Sequence, residues 1–320
     1  MNPSFRPTNG TSDAAALIAV HAACATTDTV LDDSAEEYRP NLAWYSQELE
    51  QGNPHDWLIV ELEGEIVGYG HTLWNWSERD GTQVYLHMGW IKPEFRARGI
   101  GTQLLAQLEA RCHQKAATNG HLEHLEIAAN ASGTELAAQS LLSDQDYFTA
   151  FTMLDMRLEP DAIGLEHAPI PNTYELRPVL EEHHLAIWQS IGDAYDSRDV
   201  DNPRFSEVPR EWERYFSGDP SFWFVAWEPE SHRIAAHVLA RINDGTAEIF
   251  EVSVGVGHRR KGLARALLQR SIHALRARNI SKIVIGTRLE NPTQAWRLYE
   301  SVGFRILKQF PRWRKRHIRR

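Results

Sequence analysis

The sequence predicts two consecutive α+β domains, each a mixed, mostly antiparallel sheet flanked by helices. Three observations predict it. A basic, glycine-bearing turn occurs twice, as EFRARGIGTQLL at 94–105 and as GHRRKGLARALL at 257–268. The order of strand and helix patterns around the two copies is the same. Between them lies EPDAIGLEHAPIPNT, 159–173, which carries three prolines and no helical or strand period and reads as a linker. Arg96 and Arg259 are 163 residues apart, too far for a solenoid repeat and right for two copies of one domain. The expected domains are 1–158 and 174–320, with 159–173 joining them.

The elements follow in order. The first half opens with a short strand around Phe5, a cap at Ser12 or Asp13 and the apolar helix AAALIAVHAA. The second opens with YELRPV and the helix HHLAIWQSIGDAY. Each continues through a polar loop to a Trp-bearing helix, NLAWYSQELEQ or REWERYFSG. Two strands come next: WLIVEL and EIVGYGHTLW across the turn EGE, or FWFVAW and RIAAHVLARI across EPESH. A fourth strand, QVYLHMGWI or AEIFEVSV, runs directly into the basic turn and then an amphipathic helix.

Composition narrows the function classes. A chain of 320 residues suits two cores, and 42% hydrophobic with 24% charged residues is ordinary for a soluble globular protein. No apolar run approaches the roughly 20 residues that span a bilayer. The start, MNPSFRPTNGTSDAA, has no basic-then-apolar pattern. The expectation is a cytoplasmic protein without a membrane partner. Cys24 and Cys112 lie far apart and suggest neither a disulfide framework nor a zinc site. His121 with His124, and His183 with His184, lack a matching carboxylate or cysteine set and read as surface histidines, so no metal is expected. The net charge of −9 argues against nucleic acid and is compatible with a cationic small molecule. The tail RWRKRHIRR is strongly basic, a pattern that suits nucleic acid or an acidic partner.

Superposed, the two turns share Arg-x-x-Gly-x-Gly/Ala: Arg96, Gly99 and Gly101, then Arg259, Gly262 and Ala264. Small residues let a ligand approach the backbone. The helix start offers unpaired N–H groups and the positive end of its dipole, and successive N–H groups form a nest, so a pyrophosphate is a natural guest. Arg98, Arg260 and Lys261 add positive charge. The dinucleotide fingerprint does not fit, because Leu104 and Leu267 stand where its third glycine belongs.

IKPEFRARGIGTQLL resembles the acetyl-CoA signature of the GNAT superfamily of N-acetyltransferases, and VGVGHRRKGLARALL does so with two departures, Val256 for proline and Ala264 for the second glycine. The shared order of elements extends the resemblance over both halves, which implies a tandem GNAT protein using acetyl-CoA. The resemblance implies that the turn backbone, from Arg96, Arg98, Gly99, Ile100 and Gly101 or from Arg259, Arg260, Lys261, Gly262, Leu263 and Ala264, holds the coenzyme pyrophosphate. The strand ends at Ile91 and at Val254–Val256 are then expected along the pantetheine arm.

Amine acetylation needs a base for the acceptor nitrogen, a donor for the oxyanion and an acid for the departing thiolate. In the second half Glu248 lies six residues before Val254. Even spacing puts Glu248, Phe250, Val252 and Val254 on one face, with Glu248 about 20 Å up the strand, and puts Glu251 on the opposite face. Several GNAT enzymes place their base at the Glu248 offset. A solvated strand-end glutamate is the alternative. ENPTQAWRLYESVGF reads as a helix capped by Asn291, with Pro292 first and Gly303 at its end. Its Asn-x-x-x-Ala-x-x-x-Tyr-x-x-x-Gly-Phe spacing resembles the last GNAT motif, which implies Tyr299 as the acid and Asn291 as a coenzyme contact; a core tyrosine is the alternative.

In the first half Tyr85 stands at the Glu248 offset, with His87 on its face, and Ser143 stands in place of Tyr299. The expectation is therefore one working site, in the second half, and a first half that keeps the coenzyme turn for structure or regulation. Asp193, Asp196, Asp199 and Asp201 lie where GNAT proteins line the acceptor site, which suits a cationic amine; a solvated acidic loop is the alternative. The resemblance leads to acetyl transfer from acetyl-CoA to a primary amine of a small molecule. A protein or peptide acetyltransferase and a non-catalytic acetyl-CoA sensor stay open, as does the oligomeric state.

Overall fold

The computed structural model describes residues 2–29, 41–78, 80–162, 168–196, 216, 218–231 and 233–317. The chain forms two compact units, Met1–Thr152 with Gln309–Arg320, and Met153–Lys308. These limits differ from the sequence-derived 1–158 and 174–320, and long-range strand pairing is the reason. The last strand of the chain contributes Arg312–Arg316 to the first unit, and the last strand of the first repeat contributes Met153–Arg157 to the second. Each sheet is completed by a strand from the other repeat, a choice that local sequence pattern does not encode.

The first unit contains β1 (Ser4–Pro7), α1 (Ala14–Thr27), α2 (Leu42–Gln51), β2 (Trp57–Leu62), β3 (Glu65–Ser77), β4 (Gln83–Ile91), α3 (Ile100–Thr118), β5 (Leu125–Asn130) and α4 (Leu136–Asp144). Neighbouring strands from β1 to β4 pair antiparallel, β4 and β5 pair parallel, and the C-terminal segment closes on β5 antiparallel. In α1, Leu17, Val20 and Cys24 recur at three- and four-residue spacing and are buried. α2 starts where the Asn41 side chain accepts from the Trp44 N–H at 2.9 Å, an N-cap bond. One core cluster gathers Leu17, Tyr45, Trp57 and Tyr69, and another joins Val60, Val67 and Ile91 to Leu104 and Leu108 of α3.

The second unit repeats the order. It holds β6 from Met153 on (Phe148–Leu158 in full), β7 (Glu175–Arg177), α5 (His184–Asp196), β8 (Phe224–Trp227), β9 (Ile234–Asn243), β10 (Thr246–Val254), α6 (Leu263–Ala277), β11 (Lys282–Arg288), α7 (Ala295–Glu300) and the start of β12 (Phe304–Arg316). β7 to β10 pair antiparallel, β10 and β11 pair parallel, and β11 pairs with β6 antiparallel. The expected helix in REWERYFSG lies outside the described residues apart from Phe216 and Gly218. The described ends of the linker are bound to this unit. Glu159 donates its N–H to the Gly303 carbonyl at 3.0 Å, Arg276 donates to the Glu159 and Pro160 carbonyls, and Ala168 donates to Gln269.

Candidate active site

Each basic turn leaves extended backbone and passes twice through left-handed backbone. Gly262 has φ 81° after Arg260 at 62°, and Gly99 has φ 75° after Ala97 at 57°. A β-branched residue at such a φ is strained, whereas glycine adopts it freely. The helix begins at the next residue in both copies, so the first N–H groups of α6 and α3 have no carbonyl within their own helix. This N–H concavity fits a pyrophosphate.

The arginines that open the turns do not point outward. Arg259 donates Nε to the Val254 carbonyl at 2.9 Å and NH2 to the Ala194 carbonyl at 3.2 Å. Arg96 donates Nε to the Ile91 carbonyl at 2.9 Å and grips Asp28 through NH1 and NH2 at 2.8 and 2.7 Å. Those Asp28 bonds raise the Arg96 pKa further above its ordinary value. A strand that leaves its sheet exposes its last carbonyls, and these side chains satisfy them. Arg96 and Arg259 thus brace the turn with their side chains and leave its backbone to face a ligand. Lys261 is also engaged: its Nζ donates to the Tyr174 hydroxyl at 2.9 Å, which lies 3.1 Å from His258 Nδ1. Arg260 is exposed, and Arg98 donates to the Glu94 carbonyl. Ile100 and Leu263 send their side chains into the core, leaving only backbone to the turn. Val256, 54% exposed, sits in a 3₁₀ turn beyond the strand.

The two parallel strands of each unit pair only at their beginnings. β10 pairs with β11 from Thr246–Lys282 to Ile249–Ile285, and β4 with β5 from Gln83–Leu125 to His87–Ala129. In the second unit the register against β9 shifts there, with Ile249 opposite Ala240 and Glu251 opposite Leu239, so Phe250 is an extra residue on β10. In the first unit the register shift opposes Thr72–Asn75 of β3 to Tyr85–His87 of β4, which puts the extra residue on β3. The bulge at Phe250 breaks the simple alternation of faces. Residues opposite one another share a face, and Arg241, Leu239 and His237 alternate down β9 opposite Glu248, Glu251 and Ser253. Glu251 therefore shares a face with Glu248, and Val252 and Val254 do not.

Glu248 stands opposite Arg241 and is bound by it, Nε to Oε2 at 2.8 Å and NH2 to Oε2 at 2.7 Å. Glu251 is 5% exposed and accepts from the Ser253 hydroxyl. Tyr299 is also 5% exposed and packs edge-on against Phe304. Burial first, and the Glu251 charge second, push its hydroxyl well above the usual tyrosine pKa. Beside them His237, 1% exposed, places Nδ1 3.4 Å from Ser190 Oγ, and burial lowers its pKa to about 3.

Asn291 is not the helix cap. Its Oδ1 accepts from the Thr293 N–H at 2.9 Å and the Thr293 hydroxyl at 2.7 Å, an Asx turn. Gln294 then takes φ 51°, and α7 starts at Ala295. Gly303, φ 99°, ends the segment as expected. Of the acidic residues expected at the acceptor site, Asp193 is exposed on α5, while the Asp196 side chain, Asp199 and Asp201 lie outside the described residues.

The first unit fills the corresponding positions differently. Tyr85 is buried, with its hydroxyl 2.8 Å from His121 Nδ1. Sequence reasoning missed a second pair: His87 Nε2 lies 2.9 Å from the Tyr147 hydroxyl. Tyr147, four residues after Ser143, lies past the end of α4 and just before β6, where a helix-face count from Ser143 does not reach. On the other face Trp57, Tyr69, His71 and Trp90 stack with ring centroids 4.2–6.1 Å apart. Among the described residues no group of three His, Cys, Asp or Glu could hold a metal, and no helix is long and apolar enough to cross a membrane.

Known proteins share the family and the fold. The model of the acetyltransferase (GNAT) family matches residues 21–136 and 185–304, more than half of the chain. The mycothiol acetyltransferase of Kineococcus radiotolerans is 25% identical over 256 residues, 77% of either chain. That of Thermobifida fusca is 26% identical over 240 residues, 68% of this chain and 70% of its own. A GCN5-related N-acetyltransferase from Sphaerobacter thermophilus shares the fold with TM-score 0.75 at 21% identity, covering 98% of this chain and 95% of its own. A tandem GNAT protein from the clavulanic acid biosynthesis pathway does so with TM-score 0.66 at 15% identity and 98% of both chains. With a family match in each half and a GNAT turn in each unit, the chain belongs to the GNAT family and is a tandem GNAT-type N-acetyltransferase.

Proposed function

We propose that the protein transfers the acetyl group of acetyl-CoA directly to a primary amine on a small molecule, and that the second unit carries the reaction. The observation that carries this reading is the bulge at Phe250. It puts Glu248 and Glu251 on one face of β10 just where β10 and β11 part, with Tyr299 within electrostatic reach of Glu251. The first unit has Tyr85, Met88 and Ser143 at these offsets.

An alkyl ammonium, pKa about 10.4, has no lone pair at neutral pH. Glu248 removes its proton, directly or through water. Arg241 holds Oε2, which orients the carboxylate and leaves Oε1 to accept. The β10 edge from Phe250 to Val254, beyond the last pair with β11, supplies backbone N–H groups for the thioester oxygen as negative charge develops there. Tyr299 gives its proton to the departing thiolate. The turn at Gly262 and the start of α6 hold the coenzyme pyrophosphate through backbone N–H groups, and Asn291 lies at the entrance to α7. The likeness to mycothiol acetyltransferases supports a small-molecule acceptor.

The test is thiol release from acetyl-CoA with a panel of glucosamine, ethanolamine, spermidine, L-cysteine and a peptide with a free N-terminus, alongside calorimetric titration with acetyl-CoA. Release with a small amine supports the reading. Turnover on the peptide alone makes the protein a peptide acetyltransferase, and binding without any release makes it a sensor.

A further inference from the structure

In the second unit, the ends of β9 and β10 away from the coenzyme turn border an open cavity of about 360 Å³, beside the Arg241–Glu248 pair. Arg241, Asn243, Asp219, Phe222 and Arg278 line it. Arg241 joins the cavity to the reaction: its guanidinium holds Glu248 Oε2 and lies over the ring of Phe250, 5.1 Å from the centroid. The wall is anchored in the core, since Phe222 is 3% exposed and its neighbour Trp223 donates Nε1 to the Ala240 carbonyl at 2.9 Å. The charges of the cavity are unequally matched. Arg241 has Glu248, and Asp219 turns Oδ1 to the Ser221 N–H at 2.9 Å. Arg278, exposed at the end of α6, lies over the Phe222 ring, 5.3 Å from the centroid, and among the described residues no carboxylate forms an ion pair with it. An aromatic face holds a guanidinium without neutralising it.

The first unit gives an independent comparison. The residue 163 before Arg278, at the spacing of the two turns, is Lys115, and its Nζ is bound to Asp56 Oδ2 at 3.0 Å. Asp56 comes two residues after Pro54 in a 3₁₀ turn, and two residues after Pro220, in the matching turn, stands Phe222. The second unit keeps the cation, has a ring where the first has the carboxylate, and leaves the place of a carboxylate open.

We propose that this cavity binds a carboxylate of the acceptor, through the Arg278 guanidinium and the Asn243 amide, while the acceptor nitrogen meets Glu248. The acceptor is then an amino acid, or another amine with a carboxylate a few bonds from its nitrogen. The inference rests on the reading that Glu248 takes the amine proton. A planar guanidinium fork matches a carboxylate. Arg241, in contact with Glu248 and the cavity alike, screens the acceptor carboxylate from that of Glu248. Held at both ends, such a molecule has its nitrogen fixed against Glu248 Oε1, whereas an amine without the carboxylate is held at one.

The test is thiol release from acetyl-CoA with L-serine against ethanolamine and L-cysteine against cysteamine, pairs that differ by one carboxylate. The amino acid of each pair is expected to have the higher kcat/KM, by at least about tenfold, as suits a hydrogen bond between charged groups. Arg278→Gln should lower that ratio at least about tenfold through KM for the amino acid, with KM for acetyl-CoA within about twofold. Arg278→Lys, which keeps the charge, should recover part of the ratio. The basicity of the amines differs within a pair, but it cancels when the ratio is compared between variants. A ratio unchanged by Arg278→Gln, or turnover of amines but of neither amino acid, overturns the carboxylate site. Either result leaves acetylation of small amines standing and makes Arg278 a charge at a helix C-terminus. Thiol release with no small amine overturns the proposed function and this inference together.

Discussion

Glu248 and Arg241 face each other across β10 and β9, and both guanidinium contacts, at 2.8 and 2.7 Å, go to the single oxygen Oε2. A carboxylate held in this way has one oxygen fixed and one available. Glu248→Gln keeps the shape and removes the basicity. It is expected to lower kcat by about 100-fold or more between pH 6 and 9, with acetyl-CoA binding retained by calorimetry. An unchanged rate over that range removes Glu248 from the mechanism.

On the proposed reading Tyr299 contributes a proton rather than bulk. Tyr299→Phe leaves the ring against Phe304, so thermal unfolding should shift little while kcat falls at least about tenfold. A smaller loss in a folded protein makes Tyr299 the core tyrosine of the alternative reading.

Arg96 and Asp28 form a two-point ion pair in the first unit, with side chains 22% and 9% exposed. Removing one partner leaves the other charge largely without solvent. Asp28→Asn should cost about 2–3 kcal/mol, toward the low side for buried pairs because Arg96 is partly exposed. Denaturant unfolding measures it, and an unmoved midpoint makes the pair incidental.

Acid should weaken the protein well above the carboxylate range. Burial pushes His71, His87 and His237 down to about 3, whereas an unfolded histidine titrates near 6.5. Between these values the unfolded chain binds protons that the folded chain refuses. Their stabilisation is therefore complete above about pH 6.5 and declines as pH falls toward 3. The slope is at most about 1.4 kcal/mol per pH unit for each histidine. Denaturant midpoints at pH 7.5, 6 and 5 should fall in that order, and a flat series contradicts the burial of these rings as neutral groups.

The repeated turn was legible because it is local: glycine at a left-handed φ followed at once by a helix leaves its mark in adjacent residues, as at Gly99 and Gly262. The strands around it were legible from their alternation. The bulge left only a faint mark: neither Gly nor Pro stands at Phe250, and in AEIFEVSV the adjacent apolar Ile249 and Phe250 shift the alternation by one residue. That one residue decides which face Glu251 takes. Asn291 misled for a related reason: Asn-Pro suits a helix cap and an Asx turn equally, and Thr293 supplied the donors for the turn. The completion of each sheet by Met153–Arg157 and Arg312–Arg316 depends on partners more than a hundred residues away.

The most direct measurement is thiol release from acetyl-CoA by Gly262→Val in a protein that still unfolds cooperatively. Valine at φ 81° distorts the turn that starts α6, with no other heavy atom within 4 Å of its Cβ position to confuse the outcome. Loss of nearly all turnover is the result expected if the second unit carries the reaction. Turnover near that of the unaltered protein contradicts it and moves the chemistry to the first unit.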